Sequence, residues 1–268
     1  MLFVFLLMGG CSGRFLFDKP GIDFKAAGAC AQLRDGDRDK KYDDRIDFRF
    51  DKDGRVIEQA RDETNDGSVD QRVLLAYDNQ GRLVSRRSLS AEGDLLEVVL
   101  YRYDAQSRLV EESIDDGGNG TVDLRVVHEY QDDGQRVQRR TYRGNSKEPE
   151  SVEQVVLTAG GKELRSEMDS NNDGKIDRIQ ESEYDAEGHL LQWRTDDNND
   201  GQFDSITVFS YDKQDNRIEQ KRLDRAGNPM RLTRYFYDKF GNRYGEIEKD
   251  LTDGSEIRTF YDYSCWRQ

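Results

Sequence analysis

The chain has 268 residues, of which 34% are hydrophobic and 36% charged, and its formal net charge is −14. This acidic balance disfavours nucleic acid and anionic lipid as partners and suits cations or basic surfaces. The apolar fraction is low for a globular protein of this length, which argues against a thick two-layer core. Such a composition often means disorder, but 13 Tyr and 12 Phe recur at regular positions and indicate a folded chain.

The N-terminal segment predicts export. An apolar run over residues 2–8 is followed by two glycines and Cys11, which is the order of a secretory signal and its cleavage site. The stretch Leu-Met-Gly-Gly-Cys that ends at Cys11 resembles a bacterial lipobox, in which the cysteine is lipidated and becomes the new N-terminus. The segment departs from that pattern in having no basic residues before a short apolar run. A short buried strand is the alternative interpretation.

These features predict a division of the chain into three parts. A lipoprotein signal peptide covers residues 1–10, the lipidated cysteine and a linker cover residues 11–33, and a single β-hairpin repeat domain covers residues 34–268. The resemblance implies a lipid-anchored protein of the bacterial cell envelope, and Ser12 after the cysteine is typical of sorting to the outer membrane. No later segment approaches the roughly 20 apolar residues that span a bilayer, so the lipid is the expected membrane contact.

A seven-residue unit recurs along the rest of the chain every 26 or 27 residues. Its copies begin at Phe50, Tyr77, Tyr103, Tyr130, Tyr184, Tyr211 and Tyr237, and a degenerate copy begins at Leu157. The unit, typified by Tyr-Asp-Asn-Gln-Gly-Arg-Leu at residues 77–83, resembles the YD repeat of the Rhs and YD-repeat proteins over roughly residues 40–263. The resemblance implies curved β walls. The large members enclose a toxin, but this chain is too short for a closed cage, so the family suggests the fold here and not toxin delivery.

The segments between turns alternate in polarity, which is the signature of half-buried strands. Val73, Leu75 and Tyr77 fall on one face of such a segment, and Arg72 and Ala76 fall on the other. Turns rich in Asp, Asn and Gly bound each segment, so the strands are expected to be joined as hairpins. The predicted fold is all-β, an antiparallel up-and-down meander of 17 or 18 short strands.

Two cysteines near the ends of the repeat domain predict closure of this sheet. An open sheet would leave two unpaired edges, and an exported protein lies in a compartment that permits disulfides. Hairpin alternation places Cys30 and Cys265 at the same rim, whereas in a flat open sheet about 17 spacings of roughly 4.8 Å would separate them. We therefore predict a curled or closed barrel with a Cys30–Cys265 disulfide. The alternative to this disulfide is two unpaired thiols. A membrane pore is not expected, because charged side chains such as Arg86 and Glu111 interrupt the apolar band that lipid-facing strands need.

Aspartate-rich turns alternate with the Tyr-Asp turns, so they are expected to share the opposite rim. Their pattern, Asp-x-Asn-x-Asp-Gly-x-x-Asp, offers side-chain oxygens at positions 1, 3, 5 and 9 and a backbone carbonyl at position 7, as a calcium loop requires. Three loops fit, the third with a weaker ligand at position 3. The predicted ligands are Asp169, Asn171, Asp173, Lys175 and Asp177; Asp196, Asn198, Asp200, Gln202 and Asp204; and Asp62, Thr64, Asp66 and Asp70.

These loops resemble the calcium loops of EF-hands and dockerins, with one departure. The bidentate glutamate expected at position 12 is missing, and Val73, Gln180 and Thr207 stand there. A site of this kind is expected to be weak, with a Kd of ~10⁻⁴–10⁻³ M, and to act structurally. Less complete loops begin at Asp35 and Asp115. The alternative interpretation is an ordinary hairpin turn, because Asp, Asn and Gly tolerate positive φ and cap their own backbone.

No catalytic constellation stands out in the sequence. The aspartates recur in every repeat as turn residues, His128 lies on a strand face and His189 takes the usual arginine position of a turn. Nucleophile elbows, phosphate loops and zinc-ligand spacings are missing from the sequence. It therefore predicts a non-catalytic, calcium-stabilised binding or scaffold protein whose partner is a protein or glycan at the cell surface. The alternatives are a toxin-associated or immunity-type protein, by family analogy alone, and a carboxylate-dependent hydrolase.

Overall fold

Eighteen β-strands make up nearly all of the part of the chain that the structure, a computed structural model, describes: residues 25–39, 41–131 and 134–266. The predicted signal peptide and Cys11 lie outside these residues. The strands are β1 Ala31–Asp35, β2 Asp44–Phe50, β3 Val56–Asp62, β4 Gln71–Tyr77, β5 Leu83–Ser90, β6 Leu95–Tyr103, β7 Leu109–Asp116, β8 Leu124–Gln131, β9 Arg136–Arg143, β10 Ser151–Leu157, β11 Glu163–Asp169, β12 Arg178–Tyr184, β13 Leu190–Asp196, β14 Ser205–Tyr211, β15 Arg217–Asp224, β16 Pro229–Tyr237, β17 Arg243–Asp250 and β18 Glu256–Asp262. A 3-10 turn, Ser264–Trp266, follows.

The sheet closes on itself. Each strand pairs antiparallel with the strand before and after it in the chain, and β1 pairs with both β2 and β18. The prediction of an all-β meander is therefore confirmed, and it takes the closed form. Because closure leaves no strand edge unpaired, the barrel avoids the edge-to-edge association to which an open sheet is prone.

The barrel begins earlier than the predicted domain boundary. Strand β1 starts at Ala31, inside the segment expected to be a linker over residues 11–33. All five of its residues pair with β18, and Ala31 to Arg34 also pair with β2. The predicted boundary is too late because β1 is short and precedes the first Tyr-Asp turn, but the ring needs this strand to join its last strand to β2.

The junction of first and last strands is reinforced at one end. Cys30 and Cys265, the predicted pair, form a disulfide with their Cα atoms 5.9 Å apart. The indole of Trp266 donates to the carbonyl of Gly28 at 2.8 Å, and the buried Ala26 packs with Tyr263. The segment before β1 is thus bound to the segment after β18, and both termini of the ring are held together by covalent and non-covalent contacts.

The strand register assigns each residue to one of two faces, and one face is clearly the more buried. Its buried residues are mostly small or β-branched: Ser88, Val99, Val137, Ser151, Val155, Ser166, Thr195, Thr207, Phe209, Thr233, Tyr235, Tyr244 and Thr259. A cavity is lined by this face over six successive strands, β12 to β17, so the face is concave and forms the inside of the barrel. The buried part of the interior is therefore mostly hydroxyl-bearing and valine side chains, with no thick apolar layer.

The outer face is polar as well. Ion pairs link neighbouring strands there, with Arg72 2.7 Å from Glu58 and Arg194 2.9 Å from Glu181. Pairs at such exposed positions contribute little stability individually, but they keep the outer surface hydrated. Among the described residues, no helix is long and apolar enough to cross a membrane.

Candidate metal-binding rim and barrel cavity

The two kinds of turn lie at opposite ends of the barrel. The turns that follow even-numbered strands form the Tyr-Asp rim, which includes residues 51–55, 78–82, 104–108, 185–189, 212–216 and 238–242. The turns that follow odd-numbered strands form the other rim, here named the acidic rim, which includes residues 35–43, 62–70, 115–123, 169–177 and 196–204. The expectation that all acidic loops share one rim is confirmed.

Each turn of the Tyr-Asp rim is organised by its aspartate. The Oδ1 atom of Asp78 accepts the backbone N–H groups of Gln80 and Arg82 at 2.9 and 3.0 Å, and Oδ2 accepts the Arg82 guanidinium at 2.7 Å. The hydrogen bond from the Arg82 backbone, aided by the guanidinium, holds the pKa of Asp78 below its usual value. Gly81 completes the turn with a φ of 80°, a conformation that favours glycine. The carboxylate therefore caps the turn.

The tyrosine of the unit joins each repeat to the one before it. The Arg82 guanidinium lies 4.7 Å from the centre of the Tyr103 ring, and the Tyr103 hydroxyl donates to the carbonyl of Leu83 at 2.8 Å. Each such cation–π contact contributes about 0.5–1 kcal/mol at an exposed site. The same hydroxyl bond to a carbonyl 20 or 21 residues earlier is made by Tyr77, Tyr103, Tyr130, Tyr184, Tyr211, Tyr237 and Tyr263. The Tyr-Asp unit is thus a structural joint between neighbouring hairpins.

On the acidic rim, the first aspartate of each predicted calcium loop is buried. Asp169 is 6% exposed, and its Oδ1 and Oδ2 atoms accept the N–H groups of Asp173 at 3.1 Å and Gly174 at 2.8 Å. Asp196 and Asp62 are buried in the same way and bind the corresponding N–H groups of their loops. The position 1 carboxylate therefore acts as a cap that shapes the loop.

The other predicted ligands also turn inward within their own loops. Asn171 accepts the N–H of Asp173 at 3.0 Å, Asp173 accepts the N–H of Lys175 at 2.9 Å, and Asp177 accepts the N–H of Ser170 at 2.8 Å. A carboxylate has about four lone-pair sites, so an oxygen that accepts one N–H group can still bind a cation. The loop geometry thus suits both a hairpin cap and an oxygen-rich cation site.

The carboxylates are gathered most closely at a loop that the sequence pattern ranks as incomplete. Within residues 25–39, 41–131 and 134–266, three ligand atoms from acidic or histidine side chains come within 4.8 Å of one another at Asp35, Asp37 and Asp39, and again at Asp185, Glu187 and His189. The first set belongs to the acidic rim and the second to a Tyr-Asp turn. The three predicted calcium loops have a threonine or an asparagine at position 3, where the loop at Asp35 has Asp37, so they lack the third carboxylate of this set. In all four loops the position 9 carboxylate accepts the backbone N–H of position 2.

The loops at Asp169 and Asp196 both match the calcium pattern fully, but only the loop at Asp196 has an arginine against its predicted ligands. The guanidinium of Arg225 lies 2.8 Å from Oδ2 of Asp200 and 3.4 Å from Oδ1 of Asp204, two of the predicted ligands. Its hydrogen bond lowers the pKa of Asp200. In the other loop the neighbouring cation is Lys175, whose Nζ atom is 3.8 Å from Asp173 and whose side chain is 83% exposed. Positive charge is therefore held more firmly against the loop at Asp196.

The acidic loops are also bound to their neighbours, which the sequence reading missed. The residue at position 4 is an asparagine with positive φ, and its side-chain amide donates to a carbonyl 23 residues earlier. Asn172 donates to Pro149 at 3.1 Å, and Asn199 donates to Ile176 at 2.8 Å. The recurrence of asparagine at position 4 was the available signal. Because of these bonds, a change in one loop can affect the adjacent turn.

The two histidines have structural partners. His128 Nε2 lies 3.2 Å from Oε1 of Glu112, and His189 Nδ1 lies 2.8 Å from Oδ2 of Asp185. His189 also packs against the Tyr211 ring, with 4.7 Å between the ring centres. It thus replaces arginine in both contacts of the turn, its pairing with aspartate and its stacking on tyrosine.

The cavity inside the barrel was not predicted. It has a volume of about 310 Å³, and its lining includes Trp193, Arg222 and Arg231. It lies on the inner wall at the end nearer the acidic rim, because its lining includes Arg178, Asp197 and Ser205, which directly follow the predicted ligands Asp177, Asp196 and Asp204.

No protein-family model and no curated protein sequence matches the chain. Among solved structures, a chain of the Photorhabdus luminescens Tc holotoxin pore is similar to this protein, with 16% identity and a TM-score of 0.38. The match covers 81% of this chain but only 12% of the toxin chain. Porin-like proteins from Bacteroides uniformis and Bacteroides vulgatus are 11% and 10% identical. They match 89% and 88% of this chain and 97% and 98% of their own, with TM-scores of 0.32 and 0.42. All three TM-scores lie below 0.5.

Proposed function

We propose that this protein is a non-catalytic binding or scaffold barrel of the bacterial cell envelope, anchored through Cys11, with calcium stabilising its acidic rim. The observation that carries the proposal is the segregation of the two kinds of turn. Arginines neutralise several aspartates of the Tyr-Asp rim, as Arg82 does Asp78, whereas aspartate-rich loops crowd the acidic rim. Carboxylates gathered within one loop repel one another, and a divalent cation bound by their oxygens would offset that repulsion.

The roles of the carboxylates support a non-catalytic protein. Buried aspartates such as Asp169 and Asp196 are used to cap loops, and glutamates such as Glu58 and Glu181 pair with arginines across strands. A catalytic site is expected to carry groups that the repeat does not use as structure. The resemblance of the Tyr-Asp turns to YD repeats favours a toxin-associated role as the second candidate.

Calcium is expected to raise the melting temperature of the oxidised protein by several degrees. With a Kd of ~10⁻⁴–10⁻³ M, about 5 mM calcium would stabilise the folded state by about 1–2 kcal/mol per site. The measurement is a thermal melt in EDTA, in calcium and in magnesium. The double variant Asp173→Asn, Asp200→Asn removes one charge from each of two loops and should abolish most of the calcium-specific shift.

The matched control is Asp215→Asn, which removes one charge at the Tyr-Asp rim, from a side chain that is 74% exposed. It should leave the calcium shift unchanged. Superimposable melts in EDTA and calcium would reduce the acidic loops to hairpin caps and would overturn the calcium part of the proposal.

Removing the guanidinium from the loop at Asp196 is expected to strengthen its calcium binding. Arg225→Gln leaves Asp200 and Asp204 without the cation that they now share, so the variant should lose some stability in EDTA and show a larger calcium shift than the wild-type protein. Calorimetric titration would resolve the tighter site. An unchanged titration, with the loss of stability in EDTA alone, would mean that Arg225 is the cation for which this loop is built.

A further inference from the structure

A row of side chains crosses the inner wall of the barrel at the cavity. Trp193 pairs with Thr207 across β13 and β14, Thr207 with Arg222 across β14 and β15, and Arg222 with Arg231 across β15 and β16. All four line the same cavity of about 310 Å³. Adjacent strands are ~4.8 Å apart, so the row is about 14 Å long. That length suits a short chain of rings better than a single small ion.

The cavity is basic although the protein is acidic. Three arginines and two carboxylates line it, and the carboxylates are already engaged: Arg178 lies 2.9 Å from Asp197, and Arg231 lies 3.3 Å from Glu248. Arg222 makes no ion pair or hydrogen bond with any residue that the structure describes. One guanidinium is therefore left over inside a chain whose net charge is −14.

Arg222 also lies directly opposite a second arginine. Like charges at paired positions of an antiparallel sheet destabilise it, and Arg222 and Arg231 are such a pair. Glu248 and Asp250 lie 3.3 and 3.7 Å from Arg231 and balance its charge, so an anion bound beside the pair would balance the charge of Arg222. Guanidinium groups bind carboxylate, phosphate and sulfate with charge-assisted hydrogen bonds, so the pair selects an anionic group.

The other end of the row provides an aromatic surface. Trp193 is 39% exposed although it lies on the inner face. Its indole makes no hydrogen bond or ring contact within the described part of the chain. Thr207 stands between Trp193 and Arg222 and can donate or accept a hydrogen bond. An aromatic wall with a few placed polar groups is typical of a small-molecule site.

We propose that this cavity binds a short acidic oligosaccharide, with a sugar ring stacked on Trp193 and its carboxylate or sulfate held by Arg222 and Arg231. The inference deepens the proposed function, because it assigns a ligand class to the binding barrel, and it does not depend on calcium. The order of the row fits such a ligand: an apolar platform for the ring face, a hydroxyl for the ring oxygens and two guanidinium groups for the acid.

The test is calorimetric titration of the full-length, disulfide-bonded protein in EDTA with digalacturonate, a sulfated disaccharide, neutral galactobiose and inorganic phosphate. At least one anionic disaccharide should bind about tenfold or more tightly than galactobiose. Arg222→Gln and Trp193→Ala should each weaken that binding about tenfold or more, the loss expected for one charge-assisted hydrogen bond or one stacked ring. Arg87→Gln is the matched control, because Arg87 is exposed on the outer face and makes no ion pair in the described residues.

Binding that survives both Arg222→Gln and Trp193→Ala would overturn the proposal, as would no binding of either anionic disaccharide at millimolar concentration. Binding of phosphate that depends on Arg222 and ignores Trp193 would mean an anion site only. Thermal melts verify that each variant is folded, and Trp193→Leu, which keeps an apolar side chain but removes the aromatic face, replaces Trp193→Ala if the alanine variant is unstable. Because the titration is done in EDTA, its failure leaves the calcium-stabilised rim standing, and a failed calcium melt leaves this site standing.

Discussion

Replacing Cys30 and Cys265 with serine is expected to lower the free energy of unfolding by about 3–5 kcal/mol. The disulfide joins residues that are 235 positions apart, so in the unfolded chain it closes almost the whole barrel into one loop. The entropy that such a crosslink removes from the unfolded state grows with loop length. Loss of the crosslink should be felt strongly because the ring is otherwise closed only by β1, a strand of five residues.

Urea unfolding of the wild-type protein and the Cys30→Ser, Cys265→Ser variant, with and without reductant, measures this difference. Reductant should destabilise the wild-type protein and leave the variant unchanged. Hydrogen exchange should quicken first in β1 and β18, whose pairing closes the ring. Equal unfolding free energies for the two proteins would show that the strand pairing alone supplies the closure.

The architecture could be predicted because both kinds of turn are written plainly in the sequence. A turn of known type ends one strand and starts the next, so the turns around Asp78 and Asp169 count the strands even where the strands themselves are polar. Closure followed from the positions of Cys30 and Cys265, because only a ring brings the two ends of an 18-strand meander together. These inferences need only local patterns and the geometry of a hairpin.

The contacts between repeats could not be predicted in the same way. The register shifts by one residue immediately before Tyr77 and before Tyr103, and such bulges leave no mark on a simple alternation of polar and apolar residues. The hydroxyl of each tyrosine then reaches a carbonyl in the preceding hairpin. The sequence marks the tyrosines as regular but does not say which partner lies 20 or 21 residues away.

The cavity was missed because the sequence reading treated the second strand of each hairpin as a polar surface. Its inner-face positions recur at the repeat interval, and the residues there are Gln59, Arg86, Glu112, Arg139, Ser166, Trp193, Gln220 and Glu246. Trp193 is the aromatic exception in this series, and that was the available signal. Its meaning depends on knowing that the face is concave, which follows only from the closed barrel.

The barrel is expected to lose stability steeply as the pH rises from 10 to about 12. Burial raises the pKa of Tyr263 to about 12, and burial also raises the pKa of Tyr103, Tyr130, Tyr211 and Tyr237. A phenol whose pKa is higher in the folded than in the unfolded chain stabilises the fold fully below pH 10, and that stability is lost as the pH rises through the folded pKa. Each proton released on unfolding costs about 1.4 kcal/mol per pH unit.

The joints between repeats explain why this loss should be cooperative. Each hydroxyl donates to a backbone carbonyl, as Tyr263 does to Arg243 at 2.9 Å, and a phenolate cannot donate. The measurement is urea unfolding from pH 9 to pH 12.5, followed together with the absorbance of tyrosinate. Loss of β-structure should coincide with ionisation of the tyrosines whose pKa is raised: Tyr103, Tyr130, Tyr211, Tyr237 and Tyr263. Tyr263→Phe should reduce the pH slope by up to one proton. If the tyrosines ionise near pH 10 while the sheet stays intact, the joints between repeats do not depend on their hydroxyl bonds, and the stacked arginines alone would have to hold them.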